Sequence, residues 1–312
     1  MAVVTTRIQT VQITRKRSIC DCFHNCRSPV IRKQSLCYQK FLDKREAKPH
    51  TAPYVVSIQL MTPDHGLVHY CAGTIINESW IVTAAHCVSN PLIGINSMIM
   101  AGCHDIHARH ESGNIQLRQI DYYTIHELYL GGINPYDIAL IHTEKPFKFD
   151  KYVQPAHLPK SNSLPNGYGR LYGWGNMSMT KREQYPHKLQ MADMPILDFN
   201  LSERILNASG MQLHVTNFCT GPLTGGISIC TADSGGPLMQ MYRRQYPTIV
   251  GIASWDKCSS STRGPTPIKK SYLIGTFIGI IQPLKLLLGL FSYDKQIKFM
   301  LNIQACAMSD VL

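Results

Sequence analysis

The sequence predicts an all-β protein, folded as a barrel or a sandwich. Short runs of β-branched and aromatic residues recur along the middle of the chain, turn-rich stretches such as 222–226 separate them, and no alternating helical segments intervene. Eighteen prolines and 22 glycines in 312 residues fit that class better than a helix bundle.

Residues 1–44 come before the first strand. They are basic, lack apolar periodicity and hold Cys20, Cys22, Cys26 and Cys37 at a spacing that fits no common zinc pattern. They read as a poorly ordered N-terminal segment. From Pro53 the texture changes, and strands are expected over 54–60, 68–76, 79–82, 115–125, 189–196 and 248–255. A further strand follows Asp137 in Tyr136-Asp-Ile-Ala-Leu-Ile141. After about Gly264 the texture changes again, and 272–291 is an apolar run long enough for a membrane span. Gln282, Pro283 and Lys285 lie inside it. A central lysine costs about 2.5–3.5 kcal/mol on insertion, so a packed or disordered tail is the expectation. The division is therefore 1–44, a folded body at 45–264, and an atypical tail at 265–312.

The net charge of +11 invites a nucleic-acid reading, but its distribution argues against one. Residues 1–50 carry 11 Lys and Arg against 3 Asp and Glu; 51–262 carry 14 against 15; 263–312 carry 6 against 2. The basic character belongs to the ends, and no recognition motif accompanies it. Eleven cysteines, with sequons at Asn77, Asn176, Asn200 and Asn207, point to an oxidising secretory compartment. The expected location is extracellular, although 1–30 contain no apolar run resembling a signal peptide.

Three separated motifs carry the chemistry. Thr83-Ala-Ala-His86-Cys87 follows an apolar strand, Asp137 precedes one, and Cys230-Thr-Ala-Asp-Ser234-Gly-Gly-Pro237 is rich in turn residues. A serine hydroxyl needs a base to take its proton, and imidazole is suited to that at neutral pH. The imidazole needs a carboxylate to fix its tautomer and stabilise its cation. His86, Asp137 and Ser234 supply base, orienter and nucleophile, in the chain order of one class of triad enzymes. His104, His107 and His110 recur every third residue in an expected turn, where that period does not align side chains. Neither a metal nor a cofactor is expected.

With Pro53-Tyr-Val-Val-Ser-Ile58, Cys71-Ala-Gly-Thr-Ile-Ile76, Gly173-Trp-Gly175 and Gly251-Ile-Ala-Ser-Trp255, these motifs resemble the trypsin and chymotrypsin family over roughly 45–264. In texture the chain is similar to insect digestive chymotrypsin-like enzymes. The resemblance implies two six-stranded antiparallel β-barrels with the triad in the cleft between them, and a monomeric serine endopeptidase acting on proteins or peptides. It also implies an activating protease and protein inhibitors as partners, while the charge distribution and Lys285 make a specific nucleic acid and a membrane the lesser expectations. It pairs Cys71 with Cys87 and Cys230 with Cys258. Cys219 lacks its counterpart near residues 199–200, Cys103 has none, and both are expected as thiols. The resemblance assigns the oxyanion hole to the N–H groups of Ala232 and Ser234, and the specificity pocket to Ser228, Asp256 and Gly264. Ser228 at the pocket floor, in place of an acid, implies cleavage after Phe, Tyr or Leu.

Four departures stand out. Ala232 replaces a glycine, at a position where positive φ costs an L-residue about 1–2 kcal/mol. Asp256 replaces a glycine at the pocket rim. The family's cleaved chain begins with a new ammonium that pairs with the acid before the serine, here Asp233; the matching start is Phe41, after Lys40, with Asp43 and Lys44 in place of glycines. The tail 265–312 stands where a last strand and helix are expected. These departures sustain a rival reading, a catalytically weak or inactive protease-like binding protein, lectin-like or regulatory.

Overall fold

In a computed structural model of the chain, the residues described are 44–91, 94, 96–108, 113–159, 164–176, 185–208, 210–221, 232–242, 246–256 and 275–279. After a two-residue strand β1 (Arg45–Glu46), six strands close into a barrel: β2 (Val55–Thr62), β3 (Gly66–Ile75), β4 (Trp80–Thr83), β5 (Ser97–Ala101), β6 (Gln116–Ile125) and β7 (Ala139–Thr143). The order is β2-β3-β4-β7-β6-β5, antiparallel throughout, and β5 returns to β2 through Ser57–Met100 and Ile58–Ile99. Closure leaves no unpaired edge. Val56, Ile58, Ile75, Ile81, Ile99 and Ile141 are fully buried in its core. Branched side chains of this kind suit a pleated, half-buried surface.

The second half contains β8 (Tyr168–Gly173), β9 (Gln190–Pro195), β10 (Asn217–Thr220), β11 (Pro237–Tyr242), β12 (Tyr246–Asp256) and β13 (Gly275–Gly279). They pair in the order β9-β8-β11-β12-β13-β10. The last strand meets the first again: Ile196, one residue past β9, bridges Thr220, Leu197 N–H donates to Cys219 O at 2.9 Å, and Gly221 N–H to Pro195 O at 2.9 Å. Six strands thus curl back on themselves as a second barrel. Strand β1 adds to the outside of β9, so the sheet counts seven strands.

Two features differ from the sequence expectation. The strand β13 lies beyond Gly264, inside the apolar run 272–291, and pairs with both β12 and β10. A helix, α1 (Phe199–Asn207), interrupts the strands. Its N-cap is Asp198, whose Oδ1 accepts from Leu201 N–H at 3.1 Å, and its buried face is Ser202 and Leu206, four residues apart. Among the described residues no helix is long and apolar enough to cross a membrane. Asn77, Asn200 and Asn207 are exposed, while Asn176 is buried, which makes it the poorest glycan acceptor of the four sequons.

Candidate active site

The first barrel positions His86 and Asp137. His86 sits in a 3₁₀ turn (Ala85–Cys87) directly after β4, and a disulfide joins Cys87 to Cys71 of β3, closing a sequence separation of 16. Asp137 enters just before β7. The turn into it is strained: Tyr136 has φ of 63°, Ile138 N–H donates to Tyr136 O at 2.7 Å, and the Tyr136 ring stacks on His126.

The Asp137 side chain is fully buried and accepts three hydrogen bonds. His86 N–H donates to Oδ1 at 2.8 Å, His86 Nδ1 lies 2.7 Å from Oδ2, and Ser254 Oγ donates to Oδ2 at 2.6 Å. A carboxylate is acceptor-only, so Nδ1 carries the proton and Nε2 keeps its lone pair. This is the tautomer of a general base. The His86 ring is about a third exposed and so can meet a substrate.

The second barrel supplies Ala232, Asp233 and Ser234 in the turn before β11. Ser234 O accepts from Ala72 N–H at 2.8 Å, on the strand that carries Cys71. Gly235 N–H donates to Ala253 O at 2.8 Å, and the next residue, Ser254, holds Asp137. Ser234 is therefore tied on one side to the strand bonded to Cys87 and on the other to the strand that fixes Asp137. Gly235 has φ of 76°, and a side chain there would strike Thr83 and Ala72.

Ala232 adopts φ of 69°, the left-handed conformation that the loop requires. Its carbonyl accepts from His69 Nε2 at 3.0 Å, while His69 Nδ1 lies 2.8 Å from Ser57 Oγ and Gln59 Nε2 donates to Ser57 Oγ at 3.1 Å. Burial pushes the His69 pKa down to about 4, so the ring is neutral, with Nε2–H as donor. A cavity of about 910 Å³, lined in part by His65, His69, His107, Tyr185 and Ala232, opens beside this loop.

Asp233 is fully buried. Lys44 Nζ lies 2.9 Å from its Oδ2 and 3.2 Å from Oδ1, and also donates to Gly175 O at 3.0 Å. Gly175 N–H donates back to Oδ1 at 3.0 Å. The motif Gly173-Trp-Gly175 acquires a steric reason here, since a side chain at either glycine would run into Asp233.

Ser228, Cys230, Cys258 and Gly264 lie outside the described residues; Asp256 is described only as backbone at the end of β12, opposite Gly275. Cys103 and Cys219 are buried thiols, and burial raises the Cys103 pKa to about 12, which makes it unreactive. His104 turns to Glu46 at 3.1 Å and the His107 ring lies against His187, tilted by 30° with centroids 3.8 Å apart; His110 is outside the described residues. Among the described residues, the group nearest a metal-site geometry is Cys71, His86 and Cys87, whose sulfurs form the disulfide.

Sequence reasoning missed Ser254 and His69, and read Lys44 only as a lost glycine. Ser254 could have been marked within Gly251-Ile-Ala-Ser-Trp255. His69 and Lys44 leave no local signal, because their contacts lie 163 and 189 residues away along the chain.

Comparison with known proteins agrees with this arrangement. The family described as Trypsin matches residues 41–273. Lectizyme of Glossina austeni is 32% identical over 235 residues, which is 72% of this chain and 80% of that protein. The venom peptide isomerase heavy chain of Agelenopsis aperta is 30% identical over 215 residues, 67% of this chain and 86% of that protein. Ovochymase-2 of Mus musculus is 30% identical over 263 residues, 82% of this chain, but the match spans only 42% of that longer protein. With two antiparallel barrels meeting at His86, Asp137 and the Ser234 loop, the chain belongs to the Trypsin family.

Proposed function

We propose that the chain is a serine endopeptidase with Ser234 as nucleophile, His86 as general base and Asp137 as orienter. The observation that carries this reading is the buried Asp137 carboxylate, which accepts from the His86 backbone N–H, from His86 Nδ1 and from Ser254. Ser234 Oγ attacks the substrate carbonyl carbon while His86 Nε2 takes its proton. The carbonyl oxygen becomes an oxyanion facing the N–H groups of Ala232 and Ser234, and the C–N bond breaks as His86 returns the proton to the leaving amine. Water then enters, His86 takes one of its protons, and the acyl–Ser234 ester is hydrolysed. The left-handed Ala232 supports this reading over that of an inactive binding homologue. It holds the geometry a glycine would, at a conformational cost of about 1–2 kcal/mol.

The location is extracellular, and the substrates are proteins or peptides with Phe, Tyr or Leu before the cut bond. Ser228 gives a neutral pocket floor, where a substrate cation would be buried without a partner. Cys230–Cys258 brackets the pocket and Asp256 lies at its rim. An organophosphorus probe should label Ser234, and absence of labelling in a folded chain refutes the enzyme reading. Matched peptides ending in Phe, Leu, Arg and Lys before a reporter group test the specificity. A larger kcat/KM for Arg than for Phe moves the determinant to Asp256.

A further inference from the structure

We propose that Lys44 is the positioning residue that sets the Ser234 loop, so that the active arrangement forms in the uncleaved chain. The inference rests on the endopeptidase reading above and adds a regulatory consequence to it. Asp233 lies between Ala232 and Ser234, the two residues assigned to the oxyanion hole. Its carboxylate is fully buried, and a buried carboxylate persists only when it is paired and hydrogen-bonded. Its described cation is the Lys44 ammonium, itself largely buried, at 2.9 and 3.2 Å. The same ammonium donates to Gly175 O, and Gly175 N–H completes the ring of contacts on Asp233. Fixing Asp233 fixes the direction of the peptides on either side of it.

The chain delivers Lys44 by a device of its own. The adjoining β1 pairs with β9 through Arg45–Met191 and Glu46–Gln190, Arg45 Nη2 lies 2.8 Å from Asp193 Oδ2, and Ala47 N–H donates to Leu189 O at 2.8 Å. Lys44 is thus held at the rim of the second barrel by the three residues that follow it. An ammonium on a side chain exists whether or not the bond between Lys40 and Phe41 is cut. Asp233, where the sequence predicts a newly released chain start, thus already has a cation that the intact chain carries.

The test uses the full 312-residue chain carrying Lys40→Gln, with its intact mass confirmed. The first readout is hydrogen exchange at the amides of Gly235 and Gly236, which needs no catalysis. Lys44→Met should accelerate that exchange, and Lys44→Arg should restore protection. The second readout is the rate at which a fluorophosphonate labels Ser234. Lys44→Met should slow it by roughly a hundredfold to a thousandfold, the scale of effect expected when a buried charge loses its partner, with Lys44→Arg close to the parent. If Lys44→Met does not fold, the pair K44M with D233N removes both charges; it should melt cooperatively yet label slowly. Unchanged exchange and labelling in the Lys44 variants, or labelling only in the Lys40 parent once it is cleaved there and not in the uncleaved Lys40→Gln chain, overturns the proposal. Lys44-dependent protection in a chain that never labels supports the positioning role and refutes the endopeptidase reading instead.

Discussion

The two barrels hold their share of the site by different physics. In the first, the backbone that carries His86 and Asp137 is placed mainly by packing, with a closed ring of six strands, a fully buried aliphatic core and a disulfide one residue from His86, and three hydrogen bonds then orient the Asp137 carboxylate. In the second, the Ser234 loop is placed by electrostatics and strain. A buried ion pair holds Asp233, a neutral histidine holds the Ala232 carbonyl, and an alanine sits in a left-handed conformation. Packing is non-directional and redundant, so the loss of one side chain is shared among neighbours. An ion pair or a single hydrogen bond is directional, and its loss leaves a buried polar group without a partner. The strands around His86 and Asp137 should therefore tolerate change better than the contacts of the Ser234 loop do.

The comparison breaks most sharply at the chemistry itself. Ser234→Ala or His86→Ala should lower kcat by about a millionfold, as expected for triad members that act as a unit. Asp137→Asn should lower it by about ten-thousandfold by favouring the wrong tautomer. Steady-state hydrolysis of a Phe-reporter peptide measures both, and a loss below tenfold for Asp137→Asn contradicts the assigned role. Next in size is the disulfide. Replacing Cys71 and Cys87 by alanine should cost about 3 kcal/mol by the chain-entropy account of a loop of this length. Urea unfolding measures it, and with the packing intact the variant should still bind the organophosphorus probe.

A smaller effect comes from His69. Its folded pKa of about 4 lies below the unfolded value of about 6.5, so between those limits the unfolded chain binds the extra proton. The associated stability is present above about pH 6.5 and is lost as pH falls toward 4. Between pH 7 and pH 5 this is about 2 kcal/mol. His69→Asn, whose amide can still donate to Ala232 O, should flatten that part of the stability–pH curve. An unchanged slope in urea unfolding at the two pH values rules the histidine out as its source. The smallest effect is at Ala232. Ala232→Gly removes a left-handed L-residue costing about 1–2 kcal/mol but adds the chain entropy of glycine, about 0.5–1 kcal/mol. A net gain below about 1 kcal/mol is expected, with a modest rise in kcat. A fall in melting temperature would show that the alanine side chain contributes packing of its own.

Much of the fold was legible because its strands are rich in branched residues and flanked by turns. The expected strands 54–60, 115–125 and 189–196 match Val55–Thr62, Gln116–Ile125 and Gln190–Pro195 to within two residues at each end. The helix α1 was not read, although Asp198 and the four-residue spacing of its buried face signal it. The strand β13 was hidden because Gly-Thr-Phe-Ile-Gly lies inside a longer apolar run, where strand and span cannot be told apart by hydropathy. In the site, His86, Asp137 and Ser234 announce themselves by local motifs. Lys44, His69 and Ser254 act on partners brought near only by the closure of the barrels, and no window of sequence contains both members of such a pair.

The position of β13 between β12 and β10 has a consequence for how the protein is made. A ribosome emits the chain in order, at about 5–20 residues per second, and domains generally fold as units as they emerge. The first barrel has all its strands once Thr143 is out. The second does not until Gly279 has followed, long after Ser234 itself. In that interval β10 and one side of β12 present unpaired edges, which are templates for pairing with other chains. Chaperone demand during synthesis should therefore fall on the second half of the nascent chain. A chain stalled on the ribosome with Gly279 still in the exit tunnel should fail to react with an organophosphorus probe, and one stalled well past it should react.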